Sequence, residues 1–210
     1  MKATHRNAAG AEYDRLAEVY DQRWRRYIDV TLDALLQWLA PCQGQRILDL
    51  ACGTGELERA ALARWPNLEF VGLDLSRQML CRARAKLGSE QTLLIQGDTG
   101  HLPLETGSFD HVVTANSFHY FQTPHECLAE IHRVLRPGGR LTLVDWCDDY
   151  WTCKVCGLWL RLTDPAHFRT YTLRACTSML EAAGFTVRRT ERFRTLAIWG
   201  LMRVDCVRAE

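Results

Sequence analysis

The sequence predicts an α/β fold, with a mostly parallel sheet covered by helices on both faces, and three observations predict it. Short apolar runs alternate with amphipathic helical stripes through most of the chain. The runs are near-continuously apolar, the pattern of strands buried on both faces. The last two strand-like segments, Phe185–Phe193 and Leu196–Val207, have too little between them for a crossover helix, so they pair antiparallel.

The elements follow in order. Tyr13, Leu16, Ala17, Tyr20, Trp24 and Tyr27 keep the i, i+3, i+4, i+7 spacing of one amphipathic helix. Ile28, Leu32, Leu35, Leu36 and Leu39 mark a second, which ends before Pro41. A strand at Arg46–Ala51 leads into a helix carrying Leu57, Ala60 and Ala61. Glu69–Asp74 is the next strand, and Met79, Leu80, Ala83 and Leu87 the next helix. Thr92–Gln96 and Phe109–Ala115 are the third and fourth strands. A helix through Cys127, Leu128, Ile131 and Leu135 is turned by Pro137-Gly138-Gly139 into the strand Arg140–Trp146. Cys147–Tyr171 fits neither period and reads as an insert over the sheet. Leu173, Cys176, Met179, Leu180 and Ala183 give a last helix, stopped at Gly184. Alternation of this kind implies βαβ units.

Composition narrows the functional classes. The 210 residues suit one α/β domain, and 47% hydrophobic with 24% charged residues is ordinary globular chemistry. A formal net charge of +1 gives no support to a nucleic-acid partner. No apolar run approaches the roughly 18 residues that span a bilayer, and the first 20 residues lack the apolar core of a signal peptide. A cytoplasmic location is the expectation. Nine cysteines, an odd number scattered through strands and helices, suit free thiols better than a disulfide framework.

Ile47-Leu48-Asp49-Leu50-Ala51-Cys52-Gly53-Thr54-Gly55-Glu56 carries the sharpest chemistry. A buried strand ends in a loop of small residues and passes directly into a helix, at the carboxyl edge where parallel sheets bind ligands. Gly53 and Gly55 let the backbone turn tightly and lie against a ligand. Asp74 ends the second strand 19 positions after Gly55, where a carboxylate can accept from two ribose hydroxyls. Ser76 behind it is a candidate helix cap. Asp98 and Thr99 end the third strand, where an aspartate can take a proton from an adenine amino group. A dinucleotide site would want a third glycine where Glu58 stands, and Tyr150 to Lys154, which imitates a dehydrogenase pair, falls in the insert.

The chain here resembles the class I S-adenosylmethionine-dependent methyltransferases, and among them the small ubiquinone/menaquinone-biosynthesis-like group. The resemblance rests on YDRLAEVYDQRW, ILDLACGTGE, FVGLDLSRQML, GDTGHLPLETGSFDHVVTANSFHYF and EIHRVLRPGGRLTLVDW, in that order. It implies a Rossmann-like seven-stranded sheet with the last strand antiparallel and an N-terminal helical lid. The layout would be lid helices over 1–45, a cofactor-binding core over 46–146, a substrate-side insert over 147–171 and a C-terminal helix and strand pair over 172–210. It implies that Asp49, Ala51, Gly53 and Gly55 surround the methionine part of S-adenosyl-L-methionine and that Asp74 holds the ribose. Leu75, Ser76 and Met79 would lie near the adenine, with Asp98 and Thr99 at its edge. Asn116 and Ser117 would approach the sulfonium, and Tyr13 and Tyr20 would belong to the lid. Ala51 departs from the glycine of many relatives; alanine is nearly as small.

Methyl transfer needs position and dryness more than acid–base chemistry. His119, after the fourth strand, is the candidate base for an acceptor that must lose a proton, with Asp145 and Asp148 behind it. Trp146, Tyr150 and Trp151 make the insert aromatic and are the candidate substrate residues, so an apolar or ring-containing small molecule is the expected acceptor. Cys147, Cys153 and Cys156 form an alternative, a soft thiophilic acceptor such as arsenite; with one C-x-x-C and no second pair, no metal site is expected. A non-catalytic binding module of the same fold is the remaining alternative.

Overall fold

The computed structural model describes residues 10–88, 92–163, 169–195 and 199–209, with the side chains of 158–163 outside that set. Residues 10–16 are helical (α1), and after a turn at 17–19 the helix α2 (Tyr20–Leu39) runs unbroken. The break therefore falls before Tyr20, not between Tyr27 and Ile28 as the sequence stripe was divided. Nothing between Tyr27 and Ile28 breaks a helix. At 17–19 the chain turns with Val19 N donating to Leu16 O at 3.0 Å, and Asp14 of α1 reaches across the fold, its Oδ1 accepting from Ser76 Oγ at 2.6 Å and Gln78 N at 3.0 Å.

Seven strands follow the predicted alternation. β1 (Arg46–Leu50) leads into α3 (Glu56–Arg64), β2 (Glu69–Asp74) into α4 (Arg77–Leu87), and β3 (Thr92–Gln96) runs on to β4 (Phe109–Ala115). After α5 (Pro124–Val134) come β5 (Leu135–Trp146), α6 (Trp151–Thr163), α7 (Leu173–Ala182) and the pair β6 (Phe185–Thr195) and β7 (Trp199–Arg208). The sheet order is β3-β2-β1-β4-β5-β7-β6. β7 is antiparallel to both its neighbours, and β1 to β5 pair parallel. That is the expected mixed sheet with its last strand reversed.

Two boundaries differ from the sequence reading. β5 begins at Leu135, which pairs with Phe109, before the register shifts and Arg140 pairs with His111. Pro137-Gly138-Gly139 thus forms a bulge within the strand rather than a turn ahead of it, with Gly138 at φ 73°. The insert holds a helix, α6, where no period was legible. Its described side chains explain why: Trp151 and Val155 are exposed, while Cys153 is buried and exchanges hydrogen bonds with Gly200 O and N, each at 3.2 Å. Among the described residues of α6, Cys153 and Gly157 are the buried ones.

Successive residues of each buried strand serve opposite faces. Leu48, Leu50, Val71, Leu73 and Val112 pack with Leu128, Ile131 and Val134 of α5 and with Cys176 and Leu180 of α7. Ile47, Phe70, Val113 and Val144 pack with Leu32, Leu35 and Leu39 of α2 and with Leu57 and Ala61 of α3. Burying each large aliphatic side chain contributes about 1.5–3 kcal/mol, so both layers are firmly held. The strand order reverses at β1, between β2 and β4, and opens a crevice at the carboxyl ends.

Candidate functional site

A solvent-open cavity occupies that crevice, the place where open α/β sheets bind small molecules. Of the residues expected around a cofactor, Ala51, Gly53, Asp74, Leu75, Ser76, Met79, Asp98, Thr99, Asn116 and Ser117 line it, and Tyr13 and Tyr20 close it from α1 and α2. Asp49 and Gly55 are not among the lining residues. Asp49 is 3% exposed, beneath the loop. A Cβ on Gly55, at φ 77°, would come within 2.7 Å of Leu87 Cδ1 and 3.2 Å of Ala83 Cβ, so this glycine serves the close approach of α3 to α4. Gly53, by contrast, faces open space: a Cβ there would meet nothing within 4 Å.

Loop conformation follows from hydrogen bonds to β2. Cys52 N donates to Leu73 O at 3.1 Å, and Gly53 N donates to Asp74 Oδ2 at 2.8 Å. Asp74 Oδ1 accepts from Ser76 N at 2.8 Å, and Ser76 Oγ caps α4 by accepting from Met79 N. The Asp74 carboxylate is thereby fixed toward the cavity from both sides. Burial nevertheless raises its pKa above the ordinary carboxylate value. Ala51 and Asn116 hold φ values of 59° and 57°, a left-handed region costing an L-residue about 1–2 kcal/mol. Size was therefore not the whole consequence of alanine at position 51: glycine would also sit there without strain.

The helices α1 and α2 are clamped by acids the sequence stripe did not single out. Asp14 ties α1 to the α4 N-terminus as described, and Asp21 of α2 accepts from Thr54 Oγ1 at 2.5 Å and pairs with Lys86 at 2.8 Å. Tyr13 meets Tyr20 and Tyr120 edge-on at ring distances of 6.0 and 5.6 Å. Burial, then Asp74 and Asp21, push the Tyr20 phenol up to about 12, so it stays neutral. Tyr120, Phe121, Gln122 and Thr123 also line the cavity. They escaped the sequence reading because a single 3-10 turn at Phe118–Tyr120 and the loop after it carry no period. Leu73, Gly97 and Ala115 were recoverable as neighbours of residues already placed at the strand ends.

His119 and the aromatic insert residues lie elsewhere. His119 is 4% exposed and does not line the cavity. Its Nδ1–H donates to Asp145 Oδ1 at 2.6 Å, its backbone N–H to Asp145 Oδ2 at 2.9 Å, and its ring stacks 5.2 Å from Trp146. Asp145 is buried and also accepts from Trp146 N. Trp146 shares the α2-side face with Val144, and its indole N–H donates to Tyr27 Oη at 2.7 Å; Tyr27 donates in turn to Asn116 Oδ1 at 2.7 Å. Tyr150 packs on Gly200 beside Arg194, and Trp151 is 69% exposed. None of Trp146, Tyr150 and Trp151 reaches the cavity.

The cysteine cluster gains nothing from the fold. Burial pushes Cys147 up to about 11 and raises Cys153 as well, whereas a soft ion needs thiolates. Among the described residues, no group of three potential ligands is placed to hold a metal ion. No helix among them is long and apolar enough to cross a membrane.

Against known proteins, residues 48–143 match the family model described as a methyltransferase domain. The chain is 33% identical over 144 residues to a ubiquinone/menaquinone biosynthesis C-methyltransferase of Ruegeria, covering 67% of this chain and 56% of that one. It is 39% identical over 129 residues to the demethylmenaquinone methyltransferase of Thermus thermophilus, covering 60% and 55%. The chain thus spans about half the length of these curated relatives. In fold it superposes on the partner of a methyltransferase activator in a Haloferax volcanii complex, with a TM-score of 0.86, 22% identity and coverage of 95% and 98%.

Proposed function

We propose that the chain, whose residues 48–143 match a methyltransferase domain, is a class I S-adenosylmethionine-dependent methyltransferase that methylates a small, ring-containing acceptor at the crevice between β1, β2 and β4. One observation carries the reading: the fixed Asp74 carboxylate and the open backbone at Gly53 face one cavity, with Asp98 at its far wall.

The donor set suits this cofactor. Asp74 offers acceptors for ribose hydroxyls, Asp98 for an adenine amino group, and Leu73, Leu75 and Met79 an apolar bed for the base. When bound, the cofactor supplies a methyl group already activated by its sulfonium charge. The protein's part is positional. Gly53 leaves room against the loop, Asn116 is anchored from both ends of its amide by Tyr27 and Thr31, and α1 shuts water out through its Asp14 clamp. Tyr13, Tyr20, Tyr120 and Phe121 give the remaining wall an aromatic surface suited to a flat ring. The names of the quinone-biosynthesis relatives point to the same acceptor class.

No proton-transfer step is assigned to His119. A base must reach its proton within hydrogen-bond distance, and this imidazole is 4% exposed and does not line the cavity.

Calorimetry with S-adenosylmethionine tests the site. Asp74→Ala should weaken binding by about 100-fold or more, the scale of losing charge-assisted hydrogen bonds. Undiminished affinity in that variant would remove the site assignment. Incubation with isotope-labelled cofactor and a fractionated metabolite extract, read by mass, should label a ring compound.

A further inference from the structure

Beneath the loop lies a group that this reading leaves unused. Glu58, on the first turns of α3, is fully buried, and neither carboxylate oxygen has a hydrogen-bond partner among the described residues. Room for the carboxylate comes from Gly72 on β2, where a Cβ would lie 2.8 Å from Glu58 Oε1 and 2.9 Å from Cys52 Sγ. Gly72 pairs in register with Asp49 of β1 and stands two positions before Asp74. Three buried carboxyl groups, Asp49, Glu58 and Asp74, therefore share one floor, and Asp74 is the one that opens to the cavity.

The charges facing Glu58 are few. From β1 comes Asp49, from the loop Cys52, from β2 Asp74, from its own helix Glu56 and from α4 Lys86. Lys86 is the lone cation among these, and it is engaged by Asp21, Glu56 and Thr54. Burial, with Asp74 adding to it, pushes the Glu58 carboxyl up to about 7, and burial with Glu58 and Asp74 raises Asp49 as well. The floor is short of positive charge, and protons make up the deficit near neutral pH.

We propose that Glu58, through the carboxylates it shares the floor with, makes the site favour the positively charged methyl donor over its neutral demethylated product. The inference rests on the cofactor assignment above. S-adenosylmethionine carries a sulfonium that S-adenosylhomocysteine lacks. A cation above the floor stabilises ionised Glu58, and by linkage an ionised Glu58 favours the cation. Donor binding then releases a proton near neutrality and product binding does not. Spent cofactor leaves a site that prefers a fresh one.

Calorimetry on the whole chain decides this, with both ligands, at pH 6 and pH 8 and in two buffers of different ionisation enthalpy. The donor-to-product affinity ratio should rise about fivefold between the two pH values, the part of a one-unit pKa coupling that this range captures. Donor binding near pH 7 should release protons, and product binding should not. In Glu58→Gln, which keeps the shape and removes the charge, the ratio should change less than about twofold. A purely structural role would move the melting temperature of this variant and leave the pH slope of the ratio intact, which overturns the proposal. Equal proton release for both ligands in the wild type overturns it independently of whether the variant folds. If neither ligand binds at either pH, the cofactor assignment itself fails, a distinct outcome.

Discussion

The two halves of the sheet treat buried charge in opposite ways. Around β5 and β7 it is paired internally: Asp205 accepts from Arg140 at 2.9 Å and Thr142 at 2.9 Å, and Arg203 binds Glu191 and the Ala34 carbonyl. Arg203 and Arg189 also sandwich the Trp38 ring, 3.8 and 3.9 Å from its centroid. Around β1 and β2, Asp49, Glu58 and Asp74 are buried with no cation of their own. Charge closed on itself holds a fold together; charge left uncompensated beside a cavity is available to a ligand.

The largest expected effect lies in the paired half. Asp205→Ala removes the carboxylate shared by Arg140 and Thr142, leaves Arg140 its Leu39 and Trp38 carbonyl acceptors, and should cost about 2 kcal/mol by urea unfolding, with cofactor affinity of the folded protein unchanged. Loss of affinity there would show that the halves are not separable.

Stability against pH sharpens the contrast further, because His111 and Glu58 should respond with opposite sign over overlapping windows. His111, hydrogen-bonded to Thr142 at 2.8 Å, is pushed down to about 3 by burial and Arg140. Its folded pKa is depressed, so its contribution is full above the unfolded value of about 6.5 and is lost as pH falls toward 3. Glu58, held up to about 7, is an acid with a raised folded pKa. Its contribution is full below the unfolded value of about 4.3 and is lost as pH rises through 7. Urea midpoints without cofactor should therefore carry a contribution that falls between about pH 4.3 and 7 in wild type, and that fall should be smaller in Glu58→Gln, where raised Asp49 and Asp74 remain. A matching decline in the variant would erase the asymmetry.

The smallest effect concerns the loop. Ala51→Gly relieves a left-handed residue while loosening the unfolded chain, for a net gain of about 0.5 kcal/mol in thermal unfolding. A net loss would mean that the Ala51 methyl packs usefully on the cavity wall.

The cofactor half was the more legible, for a physical reason. Its cavity-lining residues sit at strand ends and helix starts, where short-range rules about glycine turns, caps and apolar runs locate them. Asp74, Ser76 and Gly53 all followed from such rules. Glu58 was legible only as the residue that stands where a dinucleotide site wants glycine; its neighbours Gly72 and Asp49 come from other strands. The acceptor side obeys no local period. Trp146, Tyr150 and Trp151 were grouped by aromatic character, yet strand alternation turns Trp146 toward α2, Tyr150 packs on Gly200, and Trp151 faces outward. Tyr120 and Phe121, in an aperiodic turn, occupy the cavity wall instead.

By itself the sequence determined the alternation of strands and helices, the reversed last strand and the cofactor loop with its acid at the next strand end. These are set by residues near one another in the chain. The tertiary structure decided which carboxylates share a floor, that His119 turns to Asp145 behind the wall, and that Asp14 clamps α1 onto α4. Each of those joins groups from distant elements, and only packing of the sheet with its helices sets such distances.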